Sequence, residues 1–109
     1  MAAVMTSSFT ASPSAPTVSS SQVPAGPGAA AALLEAALAA VSGETLSPVS
    51  LTLDYGFPLQ PGETVTLEAA VERATRTLVF AHGRVLKADG ALAATGSAVF
   101  RRVEVPGRP

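Results

Sequence analysis

The hydrophobic period of this sequence changes once, and that change limits the folds open to it. Across Ala29–Val41, Leu34, Leu38 and Val41 fall at i, i+4 and i+7, which makes one apolar stripe on a helix. From Val49 the period is two: Val49, Leu51, Leu53 and Tyr55 alternate with Ser50, Thr52 and Asp54, as in a half-buried strand. Val65, Leu67, Ala69 and Val71 repeat the pattern, followed by Leu78–Lys87 and Leu92–Val103. The breaks between these segments are well marked. Gly26-Pro27-Gly28 precedes the helix, where the missing N–H of proline does no harm, and Ser42-Gly43 ends it. Phe57–Glu63 and Arg73–Thr77 read as turns, and Ala88-Asp89-Gly90 as a tight hairpin. One helix followed by four antiparallel strands predicts an α+β domain with the helix buried against a curling sheet.

Composition sharpens this expectation. Of 109 residues 22 are alanine, so large apolar side chains are few for a chain of this size. Self-association is the expected remedy. Apart from its stripe the helix is mostly alanine and is expected to be enclosed almost all round, with Glu35 as its one charge. The absence of cysteine excludes disulfides and thiolate metal sites, and a single histidine excludes a His-rich metal cage. No metal is expected. Residues 1–72 hold six acids and no base, whereas residues 73–109 hold seven bases and two acids. That local excess is too small for a nucleic-acid binder, but it suits a small anionic ligand.

Residues 1–24 are rich in Ser, Thr, Ala and Pro and are expected to be disordered, or to lend one weak edge strand from Val4–Thr10 or Thr17–Val23. The folded domain is expected over 25–105, with 106–109 as a tail. No export signal or membrane span is read: the N-terminal stretch lacks a basic start, and Ala29–Leu34 falls far short of about 20 apolar residues. A cytoplasmic protein is the expectation.

The segment from Ser50 to Ala69 holds a strand, an aromatic, a proline and a Gly62-Glu63 pair opening the next strand. Glu72-Arg73 and Arg76-Thr77-Leu78-Val79-Phe80 follow, then Lys87-Ala88-Asp89-Gly90 and a strand of small residues. In this order, from Gly26 to Val103, the chain resembles the hotdog-fold acyl-CoA thioesterases of the phenylacetate-degradation and 4-hydroxybenzoyl-CoA type. The resemblance implies a hotdog fold, one central helix wrapped by a four- or five-stranded antiparallel sheet. It also implies hydrolysis of an acyl-CoA or acyl-carrier thioester, with a site built between subunits of a homodimer or homotetramer. No cofactor is implied beyond the coenzyme A of the substrate.

That family's chemistry begins with His-Gly-Gly at the helix start and an acid seven residues after the second glycine. Here Gly26-Pro27-Gly28 stands in the tripeptide and Glu35 at the acidic position. The resemblance makes Glu35 the base or nucleophile and the Gly28 and Ala29 amides the donors that polarise the thioester carbonyl. A helix N-terminus suits a developing oxyanion, and alanine and leucine around a carboxylate would desolvate it. Two departures stand out: the histidine is Gly26, and the middle glycine is Pro27, which has no N–H to give.

Other assignments are weaker, and each has an ordinary structural alternative. Tyr55 and Asp54 are placed as pocket lining, with plain packing the alternative. Arg73, Arg76, Arg84 and Lys87 suit coenzyme A phosphates, with a solvated sheet edge the alternative. Arg101-Arg102 reads as surface and His82 as an ordinary strand residue. The N-terminal serines have no His/Asp arrangement for a serine hydrolase. A dehydratase would need a histidine at the helix. Gly83 and Gly96 inside strands mark a bulge or a close approach. The alternative function is a non-catalytic hotdog module that binds an acyl ligand or assembles.

Overall fold

In the computed structural model, which describes residues 15–43 and 45–103, the elements run β1 (Thr17–Gln22), α1 (Ala29–Ser42), β2 (Leu46–Tyr55), β3 (Thr64–Ala74), β4 (Leu78–Leu86) and β5 (Leu92–Arg102). The strands form one sheet in the order β1-β3-β4-β5-β2, antiparallel at every pairing, with α1 across one face. This is the predicted hotdog architecture. The edge strand drawn from the Ser/Thr-rich segment is β1. Val4–Thr10 and the 106–109 tail lie outside the described residues.

The alternation read from the sequence decides which side chains meet the helix. On β4, Val79, Ala81 and Val85 are buried, while His82 and Arg84 between them are exposed. On β3, Val65, Leu67 and Ala69 point the same way, and on β5 Ala94, Ala98 and Phe100 do. Leu34 and Leu38, both with no exposed surface, come down onto the centre of this face. They fit because Gly83 and Gly96 lie opposite each other on β4 and β5, and a Cβ at either would meet a leucine methyl at 3.2 Å. The two strand glycines therefore mark the close approach of helix to sheet.

The helix is not enclosed all round. Ala32, Glu35, Ala36 and Ala40 are exposed, because five strands cover only one side of a helix. α1 packs mainly on β3, β4 and β5 and barely touches β2, leaving Leu51 and Leu53 half-buried. No helix among the described residues is long and apolar enough to cross a membrane.

Candidate active site

The first turn of α1 supplies unpaired donors. Ala29 N–H donates to Gly26 O at 3.3 Å and Ala32 N–H to Gly28 O at 2.9 Å. The amides of Gly28, Ala30 and Ala31 have no acceptor among the described residues. Of the two expected donors, then, Gly28 is free and Ala29 is engaged. Gly26 turns the chain at φ +107°, a conformation that favours glycine, whereas Gly28 sits at φ −91°. Among the described residues no side chain caps this end and no acid lies in the first turn, so the positive end of the helix carries no counter-charge from them.

The helix start opens on a pocket of about 290 Å³. One wall is Pro27, Ala29 and Ala30; the other is Tyr55, Phe57 and Leu59, from the end of β2 and the turn after it. Tyr55 is 66 % exposed and Phe57 63 %. The site is an apolar trough with amide donors at its end, suited to an acyl group whose carbonyl faces the helix terminus.

That turn is held in place by charge. Lys87 Nζ, at the end of β4, donates to Pro58 O at 2.7 Å and to Glu63 Oε2 at 2.9 Å, and Glu63 also accepts the Gln60 amide. Both side chains are largely covered, and the Gln60 N–H and then Lys87 hold the Glu63 carboxyl below the usual glutamate range. Sequence reading missed Phe57 and Leu59 as pocket wall, although apolar residues in a proline-bounded turn were a usable signal.

Glu35 is exposed rather than desolvated and does not line the pocket. Seven residues of helix carry it about 10 Å along the axis from Gly28. Ala37 and Val41 face Thr17 and Ala69 of β1 and β3, and the helical turn places Glu35 on the opposite flank, toward β5 and β2.

The remaining predicted residues lie elsewhere. Glu68, Arg84, Thr95 and Asp54 are neighbours in one row across the sheet, on the face away from the helix. There Arg84 Nε meets Glu68 Oε1 at 2.7 Å, and the row borders a groove of about 420 Å³ that includes His82 and Ser97. His82 Nδ1 lies 3.7 Å from Glu72. Arg73 stacks over Phe80 with its guanidinium 4.6 Å from the ring centre. Arg76 sits in the β3–β4 turn, at the opposite end of the sheet from the helix start. Within one chain the structure thus brings Ala29 and Tyr55 to one pocket, with Gly28 next to it in the chain but outside its lining, and leaves Asp54, Arg73, Arg76 and Arg84 apart from them. Among the described residues no cluster of metal-ligating side chains is present.

Comparison with known proteins agrees with this architecture. Residues 27–94 match the family described as the Thioesterase superfamily. No curated protein matches the chain. Among solved structures, a mutant of the phenylacetic acid degradation protein PaaI from Thermus thermophilus is similar at a TM-score of 0.71 and 23 % identity, over 81 % of this chain and 85 % of that one. The PaaI protein of the E. coli phenylacetic acid degradation operon gives 0.69 and 19 %, over 82 % and 73 %. Zebra fish thioesterase superfamily member 2 gives 0.68 and 22 %, over 79 % and 73 %.

Proposed function

The chain belongs to the thioesterase superfamily, and from that membership we propose that it hydrolyses an acyl-CoA or acyl-carrier thioester at the start of α1. The observation that carries the reading is the unpaired amide of Ala30 in the wall of a largely apolar pocket, flanked along the helix start by the unpaired amides of Gly28 and Ala31. The acyl group lies between Pro27, Ala30, Tyr55 and Phe57, and its carbonyl oxygen lies at the helix start, where the unpaired amide of Ala30 lines the pocket and that of Gly28 stands next to it. Water attacks the carbonyl carbon while a Glu35 carboxylate takes its proton. The amides stabilise the oxyanion, and its collapse breaks the C–S bond while the protonated Glu35 returns its proton to the leaving sulfur, which releases a carboxylic acid and a thiol and restores the base.

The Glu35 of the same chain is poorly placed for this, being exposed, outside the pocket and about 10 Å along the helix. A second copy supplies it. β2 is the outermost strand on its side of the sheet, and among the described residues no strand pairs with its outer edge over its ten residues. Glu35 lies on the helix flank nearest that edge. Antiparallel pairing of two β2 strands about a two-fold axis near Leu51 buries both flanks together. It also brings the Leu46 end of one copy beside the Tyr55 end of the other. Arg101 and Arg102, which pair with Ser47 and Leu46, then stand two strand spacings, about 10 Å, from the neighbouring pocket. Arg101 has no ion-pair partner among the described residues, and this end of the sheet, with Arg76 beyond it, suits the phosphates of a nucleotide carrier.

The test is thiol release from a panel of acyl-CoA thioesters, with Glu35→Gln and Glu35→Ala as variants. Loss of a general base lowers kcat by about 10²–10⁴-fold. Full activity of Glu35→Ala overturns the mechanism. A second reading, an acyl-binding module without turnover, is favoured by Pro27, which removes one helix-start donor. Ligand binding with no thiol release from any thioester establishes that reading instead.

A further inference from the structure

The pocket has one firm wall and one tethered wall. Pro27, Ala29 and Ala30 belong to a helix whose next turns are locked into the core by Leu34 and Leu38. Tyr55, Phe57 and Leu59 belong to the end of β2 and the turn that follows it. That turn is bonded to the sheet by backbone at its two ends: Phe57 N–H donates to Leu92 O at 3.0 Å, and Gly62 N–H to Val23 O at 2.8 Å. Between those points two prolines, Pro58 and Pro61, remove donors, and the tie that reaches across is the Lys87 ammonium. It holds Pro58 O at one end of the segment and Glu63 at the other, while Glu63 takes the Gln60 amide from the middle. One cation and one carboxylate, each with only about a fifth of its side chain exposed, therefore fix the distance from Phe57 and Leu59 to the helix start.

We propose that the Lys87–Glu63 pair is a clip that sets the width of the acyl pocket, and that Lys87 and Glu63 are positioning residues for the acyl group carried by the substrate. This rests on the reading of the pocket as an acyl site. With the clip closed the trough is narrow and bounded by aromatic and proline surface, so it discriminates acyl groups by size. With the clip removed the segment between the Phe57 and Gly62 anchors, the latter already at φ +85°, loses its cross-tie and shifts, and discrimination is lost. The pair contacts the turn's backbone and not the pocket interior, so it acts on substrate through Phe57 and Leu59.

The experiment compares the parent with Lys87→Met, Lys87→Arg and Glu63→Gln across acyl-CoA thioesters of graded chain length and one aryl acyl group. Lys87→Met is expected to raise KM for the best-fitting acyl group about tenfold, as loss of a charge-assisted bond implies, and to flatten the preference among the series. Its kcat should change less than about twofold, since the amides and Glu35 are untouched. Lys87→Arg should restore most of the preference. Folded Lys87→Met with an unchanged preference order, or a uniform fall in kcat across all substrates, overturns the clip. Should the parent release no thiol at all, the thioesterase reading fails, and the clip is still decided by amide chemical shifts. Benzoate and decanoate then serve as probes: the parent should shift Ala29 and Ala30 with one and not the other, and Lys87→Met should lose that contrast. An equal contrast in both proteins refutes the proposal.

Discussion

Gly83 and Gly96 face each other at the centre of the sheet, yet an added methyl group should have very different consequences at the two. A Cβ at Gly83 would stand 2.5 Å from the backbone oxygen of Glu68, 3.2 Å from a Leu38 methyl and 3.4 Å from Ala69 Cα. Ordinary contact begins near 3.4 Å, so relief requires β3 to move by nearly 1 Å against β4 at the Ala69–Gly83 register. A Cβ at Gly96 meets the Leu53 and Leu34 methyls at 3.0 and 3.2 Å and the Thr52 oxygen at 3.4 Å. The two tight neighbours there are tips of flexible side chains, which yield by a few tenths of an ångström. Overpacking costs about 1–3 kcal/mol, and a backbone neighbour places Gly83→Ala at the upper end while Gly96→Ala stays near the lower. For a domain of this size about 1 kcal/mol lowers Tm by about 4–8 °C, giving roughly 10–20 °C for Gly83→Ala and about 5 °C for Gly96→Ala. Urea and thermal unfolding at one fixed protein concentration measure both, since any self-association would make Tm depend on concentration. A Gly96→Ala variant as damaged as Gly83→Ala, or a Gly83→Ala variant within about 0.5 kcal/mol of the parent, would refute the assignment of the clash to the β3 backbone.

Leu34, with no exposed surface, fills the space above Gly96, so Leu34→Ala should cost about 3–5 kcal/mol in urea unfolding. Ser42 Oγ is buried at the end of α1 without a hydrogen-bond partner among the described residues, and Ser42→Ala should therefore be neutral or stabilising by about 1 kcal/mol in the same measurement. The Glu63 carboxyl titrates below its ordinary range because it accepts the Gln60 amide and pairs with Lys87. Its contribution to stability is present above the unfolded glutamate value, about 4.3, and is lost as pH falls through the lower folded value. Unfolding curves taken from pH 6 downward should show Glu63→Gln with a flatter acid limb than the parent; identical limbs would count against the pairing.

The helix and four strands were legible because each buries one face, and burial of one face imposes a period of 3.6 or 2. β1 was only half legible. Its inward positions Thr17, Ser19 and Ser21 lie at the sheet edge beyond the main helix contact, where no apolar residue is required. The helix start showed in Gly26-Pro27-Gly28, since the breaker and the apolar run after it are local features. The facing wall did not show, because Phe57 and Leu59 sit in a turn that has no period to read. The basic residues failed for a different reason. Arg84 is one residue from Gly83, and a single step along a strand moves a side chain from the helix face to the other. Its pairing with Glu68, sixteen positions away, depends on a register that pattern alone does not give.

Alanine links the thin core to the incomplete site. Ala32 and Ala36 are exposed on α1 and Leu51 and Leu53 are half-covered on β2, so part of the surface this chain leaves uncovered lies on the outer side of the helix and along β2. Glu35 lies on the flank toward β2, separated along the helix from amides that have no carboxylate beside them among the described residues. A small side chain on an exposed helix face allows another backbone to come close, where a leucine would hold it off. One second copy docked on the β2 edge would therefore meet both deficits. On this argument dissociation should abolish turnover before it unfolds the chain. Dilution through the association midpoint would then cost activity in proportion to the monomer fraction while far-UV circular dichroism stayed unchanged, and constant activity per chain across that midpoint would show that each copy holds a complete site.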